Sequence, residues 1–233
     1  VVRIGMGLLP DGARELSLVI GTIAVINIIY GAFSAMAQTD FKYVIAYSSV
    51  SHMGIVMLGA ATLTEVGMNG AIFQMFAHGI MTGLFFAIVG LVYEKSHTRE
   101  IKEMGGFGKK MPGVATAFVI AGLSSLGLPG LSGFVAEILT FLGTWQGLYK
   151  WWLFPAVLGT FITAVYVLRV AKIIFFGPLD NQHYSHLSDA QGPEWVSLIL
   201  LCAVLIIFGF LPFVLLNPID ITSVGLIHKI KGI

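Results

Sequence analysis

Residues 16–37 contain no Asp, Glu, Lys, Arg or His. A helix needs about 20 predominantly apolar residues to cross a bilayer. Four further runs meet that length: 43–62, 66–93, 152–176 and 195–216. A sixth apolar stretch, 113–145, is longer than one crossing requires. Only 11% of the 233 residues are charged, against 57% hydrophobic. A soluble domain carries about 25% charged residues, so much of this surface faces something apolar. The expected class is all-α: a polytopic membrane bundle of six transmembrane helices.

The 113–145 stretch is the irregular one. As a straight helix it reaches roughly 50 Å at about 1.5 Å per residue, across a hydrocarbon core of about 30 Å. Its middle reads Gly127-Leu128-Pro129-Gly130-Leu131-Ser132-Gly133. Proline removes a backbone donor and glycine permits left-handed dihedrals. The segment is therefore one helix broken near 127–133, or two short spans joined by a tight turn. Backbone groups freed at membrane depth must be buried in protein or line a water-filled cavity.

Between the third and fourth stretches lies 94–112, with five Lys/Arg and three Glu. With six crossings, Lys42, Lys95, Arg99, Lys102, Lys109, Lys110, Arg169 and Lys172 share one side. Arg3, Arg14, Lys150, Lys229 and Lys231 share the other. The positive-inside bias puts the 94–112 loop in the cytoplasm. Trp151, Trp152 and Trp195 sit at span ends, where aromatic belts form. Gly31 and Ala35, four apart, allow a close helix contact. The tail 217–233 is expected at the interface. The N-terminus, VVRIGMGLLPDG, has no signal-peptide pattern and reads like the end of an interrupted helix.

A net charge of +1 leaves no basic footprint for nucleic acid. The single cysteine, Cys202, reads as packing, and no CxxC metal site appears. Gly106-Phe107-Gly108-Lys109-Lys110 lacks the hydroxyl and spacing of a phosphate loop.

Charge near the bilayer centre costs about 2.5–3.5 kcal/mol per residue on insertion scales, so groups retained there are functional candidates. Glu137 follows the break and has no Lys or Arg within four residues. Desolvation and a cation from another helix would act oppositely on its proton affinity, the competition that a proton carrier uses. The plainer alternative is an acid paired to a neighbouring subunit. His52 and His78 both lie mid-span. Imidazole takes and returns a proton near neutral pH, and Ser48, Ser49 and Ser51 could order water beside His52. A hydrogen-bonded core histidine is the plainer reading of either one alone. Two histidines could also ligate haem, but no attachment motif is present. Lys42, with Asp40, opens the second span, either as the mouth of a proton path or as an ordinary helix-end pair.

Four strings share a resemblance: 38–54 (QTDFKYVIAYSSVSHMG), 74–79 (QMFAHG), 104–112 (MGGFGKKMP) and 127–137 (GLPGLSGFVAE). In that order they resemble the antiporter-like membrane subunits of respiratory complex I. Glu at 137 is similar to the chain-four (chain M) type of NADH–quinone oxidoreductase, where related chains carry Lys. The resemblance runs from about residue 3 to about residue 215. It implies a fourteen-helix protein of two inverted five-helix repeats, of which this chain holds the second repeat and the last helix. By it, the 127–133 break is one discontinuous helix. Glu137 matches the terminal group of a central proton axis, and His52 and His78 match its histidine relay.

The first repeat and the lysines of helices seven and eight are not in this sequence. The resemblance therefore implies that other membrane subunits, including a chain supplying an N-terminal half, are partners. Flavin and iron–sulfur clusters would sit in partner subunits and no cofactor in this chain. The setting implied is a prokaryotic cytoplasmic membrane, or an organelle inner or thylakoid membrane. Two alternatives keep the fold and change the machine: a membrane-bound hydrogenase or ferredoxin-driven complex, and a multi-subunit cation/proton antiporter. A non-conducting scaffold and an independent secondary carrier remain as readings of other classes.

Overall fold

The computed structural model describes residues 2–179, 184 and 186–232, with only the backbone at Arg3. Arg3's side chain, among the cations assigned above to one side, and Ile233 of the tail therefore lie outside the described residues. Nine α-helices follow in order among these residues. They are α1 Pro10–Glu15, α2 Ser17–Ala37, α3 Phe41–Ala61, α4 Glu65–Ser96 and α5 Pro112–Ser125. Then come α6 Ser132–Gln146, α7 Leu153–Ile174, α8 Pro193–Phe210 and α9 Phe213–Lys231. No strand is present among the described residues.

The helix ends follow from local chemistry. Asp40 caps α3 by accepting from the Lys42 and Tyr43 backbone N–H groups at 2.8 and 3.3 Å. Thr64 caps α4 by accepting from Gly67 N–H at 3.0 Å. Pro112 opens α5, whose next two N–H groups donate to the Asp189 carboxylate. These side chains satisfy donors that a helix start leaves open.

α2 and α3 form a tight antiparallel pair. A Cβ at Gly31 would sit 2.5 Å from the Ser51 backbone nitrogen. Ser51 Oγ donates to the Ile28 carbonyl at 2.9 Å across the same seam. The close contact expected at Gly31 is there.

One end of the bundle gathers the charged loop. Ile101 N–H donates to the Thr39 carbonyl and Phe41 N–H to the Arg99 carbonyl, each at 2.9 Å. Arg99 Nε lies 3.3 Å from Asp40 Oδ2, and Arg169 Nη1 donates to the Met36 carbonyl at 3.3 Å. Beneath them an aromatic core of Phe41, Phe85, Phe118 and Phe175 closes this end.

Six helical stretches are long and apolar enough to cross a membrane: Ser17–Ala37, Phe41–Ala61, Glu65–Ser96, Lys150–Ile174, Pro193–Phe210 and Phe213–Lys231. Five of them overlap expected spans. The other expected span, 113–145, is two short helices, α5 and α6, of 14 and 15 residues.

The sixth long stretch, α9, makes most of the 217–233 tail helical. The last span, expected over 195–216, breaks at Leu211–Pro212 and resumes as α9. Contacts along α4 give its course. Glu194 meets Lys95 at 3.3 Å, and Phe208 stacks edge-on against Phe76 with centroids 5.0 Å apart. Asp220 then accepts from Asn69 at 2.6 Å, and His228 lies 3.4 Å from Glu65. The order never reverses. α8 and α9 together run antiparallel to the whole of α4, about 48 Å for 32 residues. A Cβ at Gly209, next to this second break, would strike the Gly130 carbonyl, so the two interruptions abut.

The tryptophans also separate. Trp151 and Trp195 are exposed, as belt residues are, but Trp152 is fully buried against Gly21. Trp152 closes the core between α2 and α7 instead of anchoring at the interface.

Candidate functional site

His52 is 2% exposed, on the inner face of α3. Its Nε2 lies 2.9 Å from Ser125 Oγ at the end of α5. Its Nδ1 lies 3.3 Å from Gln74 Nε2 on α4. Three helices therefore fix one imidazole. In this orientation the Gln74 amide donates to Nδ1, so Nε2 carries the proton and donates to Ser125. Gln74 Oε1 is buried without a partner. Turning the amide over would offer Nδ1 an acceptor instead, and Ser125 could then donate to Nε2. The pocket can serve both neutral tautomers with the same atoms.

His78 faces His52 with ring centroids 5.7 Å apart. Its Nε2 lies 3.0 Å from Thr82 Oγ1, one turn further along α4. His78 is only partly buried, on a face of α4 that also carries Thr82.

Glu137 is 4% exposed on α6, just beyond the break. Its carboxylate rests against Gly127, the left-handed residue (φ +63°) that ends α5. A Cβ at Gly127 would lie 2.5 Å from Oε2. Glu137 makes no ion pair among the described residues. Ser125 and Gly127 are two residues apart, so one short stretch of backbone touches both His52 and Glu137.

Buried polar atoms without partners gather around this break. They include Ser124 Oγ, Ser132 Oγ, Thr140 Oγ1 and Gln74 Oε1. Native interiors pair nearly all such atoms, with protein or with water. A cluster of them marks a region suited to ordered water.

The sequence-derived candidates therefore divide. His52 and Glu137 both meet the break between α5 and α6, and His78 lies beside His52. Lys42 does not join them: it is exposed at the start of α3, ten residues and about 15 Å along the axis from His52. Its neighbour Asp40 pairs with Arg99. Sequence reasoning missed Gln74, Thr82 and Ser125. Gln74 is four residues before His78 on the same helix face, which is the one signal that could have flagged it. Among the described residues, no group of three or more His, Cys, Asp or Glu is arranged to hold a metal ion.

The profile of the NADH:quinone oxidoreductase/Mrp antiporter transmembrane family matches residues 4–163. This chain belongs to that family. It is 41% identical over 228 residues to NADH-quinone oxidoreductase subunit M of Rickettsia prowazekii, covering 98% of this chain and 46% of that protein. It is 37% identical over 239 residues to NAD(P)H-quinone oxidoreductase chain 4 1 of Trichormus variabilis, covering 99% and 46%. The chain thus spans about half the length of the curated relatives it matches.

The fold matches a chain of respiratory complex I from Thermus thermophilus with bound NADH. The TM-score is 0.89 at 32% identity, over 97% of this chain and 48% of that one. A chain of the Mrp complex from Dietzia shares the fold at TM-score 0.83 and 19% identity, over 94% and 49%. The all-helical membrane fold and the family resemblance expected from the four strings are both borne out.

Proposed function

We propose that this chain forms one half of a proton-translocating membrane subunit in an NADH–quinone oxidoreductase-like assembly. One observation carries the reading. A buried histidine held by Ser125 and Gln74 lies beside a second histidine, and a buried carboxyl without an ion pair meets the same helix break.

His52 takes a proton on one ring nitrogen and releases one from the other, with Gln74 and Ser125 following the change. Glu137 holds a proton while the break is dry and uncharged. It gives the proton up when water or a cation from outside this chain stabilises the carboxylate. His78 extends the relay toward the open face of α4. Redox chemistry in partner subunits, which would carry the flavin and iron–sulfur clusters, supplies the driving force. A further chain or segment supplies the other half of the path. The setting is an integral membrane position, a prokaryotic cytoplasmic membrane by analogy with the bacterial relatives. Lys42 serves at most as a surface collector, because an exposed charge at that distance is largely screened by salt.

The test is Glu137→Gln in the intact complex, with redox-driven proton translocation measured in sealed vesicles. Loss of translocation with normal assembly is expected. Full translocation would sink the reading and favour a structural scaffold. The family also includes Mrp antiporters. Identifying the soluble subunits that copurify separates a redox-driven assembly from an antiporter.

A further inference from the structure

Tyr166, on α7, takes no part in the relay described above. Its side chain is 2% exposed, and its buried hydroxyl sits beside those of Ser48 and Thr163 without a well-aligned hydrogen bond to either. Tyrosine hydroxyls usually find a partner when buried. Two cavities meet at this residue. The outer one, about 40 Å³, lies at the charged-loop end and is lined by Gln38, Thr39, Lys102 and Arg169. The inner one, about 10 Å³, is lined by Ser48 and Phe118. Val44, Tyr166 and Val170 line both.

The volumes matter because a water molecule needs roughly 10–15 Å³ on this scale. The outer cavity has room for a few waters, and the inner one is at the limit for one. Ser48 and His52 are four residues apart on α3, so they share a face one turn apart. Apolar residues otherwise fill this level of the bundle: Phe41, Ile45, Phe85 and Phe118 surround the inner cavity. Among the residues lining the inner cavity, Tyr166 and Ser48 are the polar ones.

We infer that Tyr166 is the hydroxyl step of a hydrated access route from the charged-loop end of the bundle to His52. The order is outer cavity, Tyr166, Ser48, His52. A water in the outer cavity gives a proton to the phenol oxygen as the phenol's own proton passes to water or Ser48 inside. Rotation of the hydroxyl resets it, and no net charge stays on Tyr166. The inference rests on the proposed proton role of His52 and Glu137.

Two measurements on the intact complex test it. Tyr166→Phe keeps the ring and its packing and removes only the hydroxyl. Redox-driven proton translocation should fall roughly ten-fold or more, the scale of a lost proton-transfer group. Full translocation by that variant overturns the route. Separately, Ser48→Cys is combined with Cys202→Ala, and silver ions, small enough for a single-water passage, are added from either side of sealed vesicles. Inhibition from the charged-loop side, absent in Cys202→Ala alone, is expected. Inhibition only from the opposite side, or from neither side, overturns the route even where Tyr166→Phe is impaired. Glu137→Gln is run in parallel. If it abolishes translocation while Tyr166→Phe does not, the route falls and the proposed function stands. If Glu137→Gln translocates fully, the proposed function itself falls.

Discussion

The Glu137 carboxylate and the α-carbon of Gly127 are in direct contact across the break between α5 and α6. Gly127 is also held at φ +63°. Two separate physical reasons therefore forbid a side chain there. A left-handed conformation costs an L-residue about 1–2 kcal/mol, and the new methyl would meet Oε2 at 2.5 Å. Gly127→Ala should lower the thermal stability of the complex and displace the carboxyl. Translocation should fall further than the loss of assembled complex explains. A variant that assembles and translocates normally would show that the contact is incidental.

Gln74 holds the His52 ring by one 3.3 Å contact and has a second, unpartnered amide atom. Gln74→Leu keeps much of the volume but offers neither a donor nor an acceptor. Leaving the buried His52 Nδ1 without its partner costs about 1–3 kcal/mol, which the complex should tolerate and still assemble. Proton translocation should slow because His52 Nδ1 then has no partner in either tautomer, and only Ser125 still serves the ring. Gln74→Glu restores an acceptor and should recover more of the rate than Leu does. Equal rates for Leu, Glu and the native residue, measured in the same vesicles, would remove Gln74 from the relay.

The outer half of α9 is attached to α4 through Asn69, which donates to Asp220 at 2.6 Å and accepts from Ser223. Asp220 is exposed, so the attachment contributes only about 1 kcal/mol. Asn69→Leu should loosen α9 and raise protease cleavage within Phe213–Lys231. It should leave translocation unchanged, because none of these residues touches His52 or Glu137. A large fall in translocation would place α9 in the mechanism.

What the sequence made legible follows from which signals lipid enforces. Long apolar runs, with their few Lys, Arg, Asp and Glu residues kept to the ends, marked α2, α3, α4 and α7, because a charge at mid-span would be costly. The Gly-Leu-Pro-Gly-Leu-Ser-Gly string marked the first break, because proline and glycine change the backbone itself. The rarity of ionisable groups picked out Glu137, His52 and His78. Three features stayed hidden. Gln74, Ser125 and Tyr166 are neutral polar residues that any membrane helix carries, and only the convergence of separate helices distinguishes them. Trp152 was read as a belt residue from its place at a span end, but Gly21 opens a slot that takes the indole into the core. The second break was invisible because Leu211 and Pro212 lie within a continuous apolar run, and hydropathy does not register a change of backbone direction.

The unreversed path of α8 and α9 along α4 settles a question of parity. Were α9 a reversal, the count of traverses from α2 onward would be seven, and α1 and the end of α9 would lie at opposite ends of the bundle. Because α8 and α9 run one way along α4, they make one traverse of the bundle between them, and α5 and α6, which meet α4 in order at Phe85 and Gly70, make one as well, so the count of traverses is six. An even number of traverses returns α9 to the end of the bundle where α1 lies. Lys229 Nζ accordingly donates to the Gly7 carbonyl at 2.7 Å. With Met6 and Ala13 packed against Ile227 and Ile230, that hydrogen bond joins the first and last of the described helices at one end of the bundle.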